Sequence, residues 1–333
     1  MTYLIAEVGQ AHEGSLGMLH AYIDAVAKTG VDAIKFQTHI AEAESSLHEP
    51  FRVKFSRQDK TRYDYWKRMS FSQEQWNDIG THCKEVGLDF ISSPFSNAAV
   101  DVLEQAGVQQ YKVGSGEVNN FLLLEKIART QKPVILSSGM SSWNELKKSL
   151  EFLKSRKVDY SILQCTTNYP TQPQDWGLHM IKEFKDFFKV QTGYSDHSGS
   201  ITSAISAMSL GADILEFHVV FHKEMFGPDV SSSLSLEEVQ QIVNARNELQ
   251  IALENPVDKS DHSQFESLKT IFEKSLAVNK DLKKGHILRF EDLEAKKPKH
   301  LGIEAGKFES VIGKQLKITK KQWDFLKEED LEA

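Results

Sequence analysis

Two stretches, Val190-Gln191-Thr192-Gly193-Tyr194-Ser195-Asp196-His197 and Asp213-Ile214-Leu215-Glu216-Phe217-His218, share one plan: a short apolar run with a histidine just past its end. If the runs are neighbouring parallel strands, the two imidazoles meet at one rim of a sheet. A divalent metal held there would keep most of its coordination positions open, which is the catalytic arrangement. A lone histidine after a strand is usually a loop residue, so the reading depends on what else reaches that rim.

Working outward, short apolar runs recur along the chain, each followed by small or polar residues and then by a helical pattern. Strands are expected near 3–8, 32–36, 88–92, 109–114, 133–138, 159–164, 189–193 and 213–217. Helices are expected at 16–29, 73–86, 97–106, 121–130, 143–155, 177–185, 200–210 and 236–253, with capping signals at Ser141-Ser142 and Ser235. Eight alternating units predict an α/β fold with a parallel sheet closed into a (β/α)8 TIM barrel over residues 1–255. No GxGxxG follows the first strand, which weakens an open doubly wound sheet.

The chain of 333 residues is long enough for such a barrel and a small appendage. Its 40 basic and 47 acidic residues give a net charge of -7, which disfavours nucleic acid as a partner. Only Cys83 and Cys165 are present, without metal-ligand spacing, as in a reducing cytosol. No signal peptide or membrane span is legible, so a cytoplasmic location is expected. Residues 41–70 interrupt the rhythm with charged and aromatic side chains and would form a long loop over the rim, a candidate lid. The barrel pattern stops around Asn255-Pro256. A linker over 256–273 and a small, mostly β domain over 274–333 are expected to follow; so small a domain would dock on the barrel or on a second subunit.

In a parallel barrel the functional groups lie at the C-terminal ends of the strands. Those ends read Glu7; Lys35-Phe36-Gln37; Ser92-Ser93-Pro94; Lys112-Val113-Gly114-Ser115; Ser137-Ser138; Cys165-Thr166-Thr167-Asn168-Tyr169; Ser195 with His197; and Glu216 with His218. Two lysines inside a barrel, with hydroxyls and glycines around them, describe a pocket for a small polyanion such as a phosphorylated carboxylic acid. Glu7 stands on an otherwise apolar strand, either balanced by a lysine or placed for acid–base work. The Gly227-Pro228-Asp229 turn brings a carboxylate near the second histidine. His12 and His39 read as loop residues, and Cys165 as a small core residue.

Together, Lys35-Phe36-Gln37-Thr38-His39, Tyr111-Lys112-Val113-Gly114-Ser115-Gly116-Glu117, Gly193-Tyr194-Ser195-Asp196-His197 and Gly227-Pro228-Asp229 resemble the sialic acid (N-acetylneuraminate) synthase family. The tail, with Lys283-Lys284-Gly285, Lys297-Pro298 and Ile312-Gly313-Lys314, resembles the antifreeze-protein-like SAF domain that follows the barrel there. The resemblance implies condensation of phosphoenolpyruvate with the open-chain aldehyde of an N-acylated hexosamine, N-acetylmannosamine or a relative, giving a nonulosonic acid and phosphate. It places Mn2+ or Mg2+ on His197 and His218. It gives phosphoenolpyruvate to Lys35, Ser93, Lys112, Ser115, Ser137 and Ser195, and the sugar to Gln37, Thr167, Tyr169 and Asp229. Glu7 would orient or deprotonate water, and a domain-swapped homodimer is implied.

Lys297 stands where the family pattern has an arginine that reaches the sugar's N-acyl group, and a lysine lacks the planar fork of donors. Thr167 stands where the pattern has asparagine. Mannose or a 2,4-diacetamido-trideoxyhexose, giving a Kdn- or legionaminate-type acid by the same chemistry, is the alternative acceptor. A non-catalytic barrel that binds a sugar phosphate is the alternative from another class.

Overall fold

A computed structural model describes residues 1–332. Eight strands close into a barrel: β1 (Tyr3–Gly9), β2 (Ala33–Thr38), β3 (Asp89–Pro94), β4 (Gln110–Val113), β5 (Val134–Ser137), β6 (Tyr160–Cys165), β7 (Thr192–Asp196) and β8 (Ile214–Val220). Each pairs in parallel with the next, and β1 pairs back onto β8. A three-residue strand, β9 (Ser233–Ser235), adds to the end of β8.

The strands are wrapped by α1 (Leu16–Ala27), α4 (Gln73–Glu85), α5 (Asn97–Ala106), α6 (Phe121–Ala128), α7 (Trp143–Ser155), α8 (His179–Phe188), α9 (Ile201–Ser209) and α10 (Leu236–Glu254), with the short α2 (Ala41–Glu44) and α3 (Arg62–Met69) between β2 and α4. Capping chemistry starts several of them. Ser72 with Gln75, and Ser142 with Glu145, form reciprocal capping boxes that satisfy two otherwise unpaired backbone donors each. Among the described residues, no helix is long and apolar enough to cross a membrane.

Side chains on a strand alternate faces, so every second residue enters the barrel. Ile5, Ala33, Ile91, Ile135, Leu163 and Ile214 pack together as an apolar floor. Two residues further along the same strands stand Glu7, Lys35, Ser93, Ser137, Cys165 and Glu216, all buried. Strand period alone therefore stacks a polar layer on an apolar one. Gly193 occupies the floor level of β7. A Cβ there would lie 2.0 Å from the Ile214 carbonyl oxygen and 2.8 Å from Leu163 Cδ2, so the residue must be glycine.

Several expected boundaries move. β7 runs over 192–196, not 189–193: Lys189 adopts a left-handed conformation that ends α8, and the strand continues through polar Ser195 and Asp196. His218 lies within β8, not past its end. The segment 41–70 is not a structureless loop. It carries α2 (Ala41–Glu44) and α3 (Arg62–Met69), and Ala41, Tyr65, Trp66 and Met69 form a small core of their own with Phe51, Phe55 and Tyr63.

A second compact unit begins at Asn255. The expected linker holds a single 3-10 turn and α11 (Glu266–Phe272). Two two-stranded antiparallel ladders follow, β10 (Ser275–Val278) with β11 (Leu293–Lys296) and β12 (Gln315–Leu316) with β13 (Leu331–Glu332). Leu276, Val278, Leu282, Leu288, Val311, Leu316 and Leu326 make its core.

Candidate active site

The polar layer opens into a cavity of about 520 Å³ at the C-terminal end of the barrel. Thirteen of the fourteen residues expected from sequence line it: Glu7, Lys35, Gln37, Ser93, Lys112, Ser115, Ser137, Thr167, Tyr169, Ser195, His197, His218 and Asp229. Lys297 belongs to the second unit, where its ammonium lies 4.8 Å from the Phe272 ring centroid.

At the bottom of the cavity four charges neutralise one another. Lys35 Nζ lies 2.9 Å from Glu7 Oε2 and 3.2 Å from Glu216 Oε1. Lys112 Nζ donates to Ser137 Oγ at 2.7 Å and is 3.6 Å from the same Glu216 oxygen, which also accepts from Ser195 Oγ at 3.0 Å. Burial opposes charge on all these groups, and the partners decide the outcome. Burial alone would raise Glu7, but Lys35, His218 and the Gln37 amide hold it well below the usual carboxylate range. Burial would lower Lys35, but Glu216 and Glu7 together raise it. Lys112 shares only one carboxylate, so burial prevails and its ammonium is pushed down. Glu216 Oε2 and Thr167 Oγ1 are buried without a hydrogen-bond partner, as expected of groups that await a polar ligand.

Above this layer the two histidines face each other, ring centroids 5.4 Å apart. His197 Nδ1 meets the Thr166 carbonyl at 3.1 Å and the Cys165 thiol at 3.7 Å, while its Nε2 lies 3.2 Å from the Tyr169 hydroxyl. Burial would lower this imidazole, yet Cys165, the Thr166 carbonyl and Glu7 raise it to about 9. His218 Nε2 lies 3.3 Å from Glu7 Oε2. On the other side of that ring, Gly9 sits at a bulge in β1 with φ of 53°, where a Cβ would crowd His218 Nδ1 at 3.3 Å. Two imidazoles on one cavity, one oriented through its far nitrogen by a carbonyl, fit a catalytic divalent ion with open positions. Among the described residues, no three His, Cys, Asp or Glu side chains are already gathered as a closed metal cage.

The chain matches the model of the NeuB family over residues 22–258. The chain belongs to the NeuB family. Within it, the chain is 32% identical over 319 residues to the N,N'-diacetyllegionaminic acid synthase of Campylobacter jejuni subsp. jejuni serotype O:2, covering 94% of this chain and 95% of that protein. It is 31% identical over 331 residues to the human N-acetylneuraminate-9-phosphate synthase, covering 98% and 92%. The solved N-acetylneuraminic acid synthetase of Leptospira borgpetersenii serovar Hardjo-bovis superposes with a TM-score of 0.70 at 25% identity, over 80% of this chain and 90% of that one. This NeuB-family chain is therefore a transferase of the N-acetylneuraminate synthase type, built on a TIM barrel.

Glu216, which the sequence places with His218 at the end of strand eight without giving it a role, is the shared counter-ion of both lysines. One further side chain of the site is not among those the sequence singles out. Arg52 comes from the 41–70 segment and pairs with Asp229 at 2.9 Å, a contact between positions 177 residues apart that no local pattern announces. The two histidines left as loop residues are held structurally. His12 Nδ1 accepts from the Gly14 amide at 3.0 Å, and His39 stacks on Trp66 and Phe95 while bonding Glu44 at 2.6 Å.

Proposed function

We propose that the protein condenses phosphoenolpyruvate with the open-chain form of an N-acylated hexosamine, N-acetylmannosamine or a relative, giving a nonulosonic acid and inorganic phosphate. The observation that carries this reading is the buried Glu7–Lys35–Glu216–Lys112 cluster beneath the two histidines: two ammonium groups at the bottom of the cavity, the second of which shares its one carboxylate oxygen with the first. Lys35, Lys112 and the hydroxyls of Ser93, Ser115, Ser137 and Ser195 hold the carboxylate and phosphate of phosphoenolpyruvate. The sugar lies further out, against Gln37, Thr167, Tyr169 and Asp229.

His197 and His218 would hold Mn2+ or Mg2+, which supplies Lewis-acid polarisation of a carbonyl oxygen when bound. C3 of phosphoenolpyruvate attacks the aldehyde carbon, forming the C–C bond and leaving cationic character at C2. Water adds at C2, one of its protons passing to the former aldehyde oxygen, which becomes a hydroxyl; the C2–O bond to phosphate then breaks, phosphate departs with the bridging oxygen and the second proton, and C2 becomes the ketone. Burial would raise Glu7, but Lys35 and His218 hold it below the usual carboxylate range, which weakens it as a general base. Its fixed charge instead stabilises the cation at C2 and orients the water.

The second unit is read as the SAF domain, and the assembly as a domain-swapped homodimer, on the resemblance of the tail. The test of the chemistry is phosphate release from phosphoenolpyruvate and N-acetylmannosamine in Mn2+, repeated after EDTA. Metal-dependent release is expected. Absence of release with N-acetylmannosamine, mannose and a 2,4-diacetamido-trideoxyhexose alike would overturn the reading in favour of a binding barrel.

A further inference from the structure

The cavity has two polar ends of different character. The inner end holds the lysine cluster. The outer wall is built by the 41–70 segment and the turn after β8, and carries Arg52, Arg62, Glu44, Glu49 and Asp229. There, Arg52 Nη2 donates to Asp229 Oδ1 at 2.9 Å, and the guanidinium carbon stands 4.2 Å from the Tyr169 ring centroid. One edge and one face of the guanidinium are thereby fixed. A guanidinium has five N–H donors and no acceptor. Among the described residues, only the donor to Asp229 is engaged, and both Arg52 and Asp229 line the cavity.

The pair is neutral and presents free donors beside a carboxylate. Its complement is an uncharged group that carries an acceptor oxygen next to an N–H, which is the description of a secondary amide. A phosphate ester complements it poorly. The same wall holds three carboxylates, Glu44, Glu49 and Asp229, against two guanidiniums, each with an acidic partner already: Arg62 Nε lies 3.6 Å from Glu49 Oε1. Lys297, the basic residue that the resemblance offers for the acyl group, has no planar fork. Arg52 has one, and the barrel carries it itself.

We propose that Arg52, paired with Asp229, is the specificity-determining residue for the acceptor: it selects an aldose bearing an acylamino group over the unacylated parent and over the phosphate ester. This rests on the acceptor lying at the outer end of the cavity, as in the function proposed above. Arg52 holds the acyl carbonyl, Asp229 takes the amide N–H, and Tyr169 backs the guanidinium so that it does not swing away.

The experiment compares wild type with Arg52→Ala and Arg52→Lys on N-acetylmannosamine, mannose and N-acetylmannosamine 6-phosphate, reading kcat/KM for each acceptor and KM for phosphoenolpyruvate. A hydrogen bond from a charged donor is worth roughly a tenfold to hundredfold change. We expect Arg52→Ala to cost at least tenfold with N-acetylmannosamine and less than threefold with mannose. Arg52→Lys falls between, KM for phosphoenolpyruvate holds, and the phosphate ester is the poorest acylated acceptor of the wild type. An equal loss on every acceptor, no loss on any, or a wild-type preference for the phosphate ester would overturn the proposal. If the wild type releases no phosphate with any sugar, the proposed chemistry has failed. Calorimetric binding of the same three sugars to wild type and Arg52→Ala then still decides the role of Arg52, by the same ratios.

Discussion

Glu216 serves both buried lysines through a single oxygen, and the lysines respond in opposite directions because only Lys35 has Glu7 as well. Lys35 is raised and Lys112, for which burial outweighs the shared carboxylate, is lowered. In the proposed function, phosphoenolpyruvate is held by the ammonium form of Lys112. That form is present below the depressed value and is lost as pH rises through it. KM for phosphoenolpyruvate is therefore expected to climb on the alkaline side before the ordinary lysine range near 10.5 is reached. Lys112→Arg, whose charge persists, should remove that limb from the pH profile; an unchanged profile would assign it to another group. In the sequence, Lys35 and Lys112 are legible as residues of the cavity because strand period turns them into the barrel. Which lysine is the weaker base is not legible there, because that depends on Glu7 pairing with Lys35 at 2.9 Å while Lys112 has only the shared Glu216 oxygen within ion-pair reach.

Among the elements, β7 is closely constrained by its neighbours. Gly193 faces the Ile214 carbonyl, and Ser195 and His197 follow at two-residue intervals on the same face. Gly193→Ala must push β7 away from β8, since the obstacle is backbone and cannot rotate aside. Overpacking of this kind is expected to cost on the order of 3 kcal/mol, seen as a fall of roughly 5–10 °C in thermal midpoint. Phosphate release should drop further than stability alone explains, because Ser195 and His197 move with the strand. A variant with wild-type melting and activity would refute the close approach. The strands whose inward residues are apolar at the floor were readable as runs. β7 was read three residues early because Val190 is apolar and Ser195 and Asp196 are not, although the last two are buried by the barrel around them.

At the scale of the whole molecule, the barrel unit and the unit from Asn255 each carry a core of their own. In the second unit, α11 buries none of its residues, and Phe265 just before it, Leu268, Ile271 and Phe272 are exposed. A homodimer would cover such a surface. Light scattering is expected to give twice the chain mass of 37.7 kDa, and a monomer mass at micromolar concentration would rule the dimer out. By itself the sequence determined the alternation of strand and helix, and with it the barrel. It also determined which side chains reach the rim, since both follow from period two along a strand and from the position of strand ends in a closed parallel sheet. The tertiary structure alone decided how those side chains are paired. Glu216 with two lysines, Glu7 with His218, and Arg52 with Asp229 are contacts between distant segments, and their strengths and pKa shifts depend on distances and burial that no local pattern encodes.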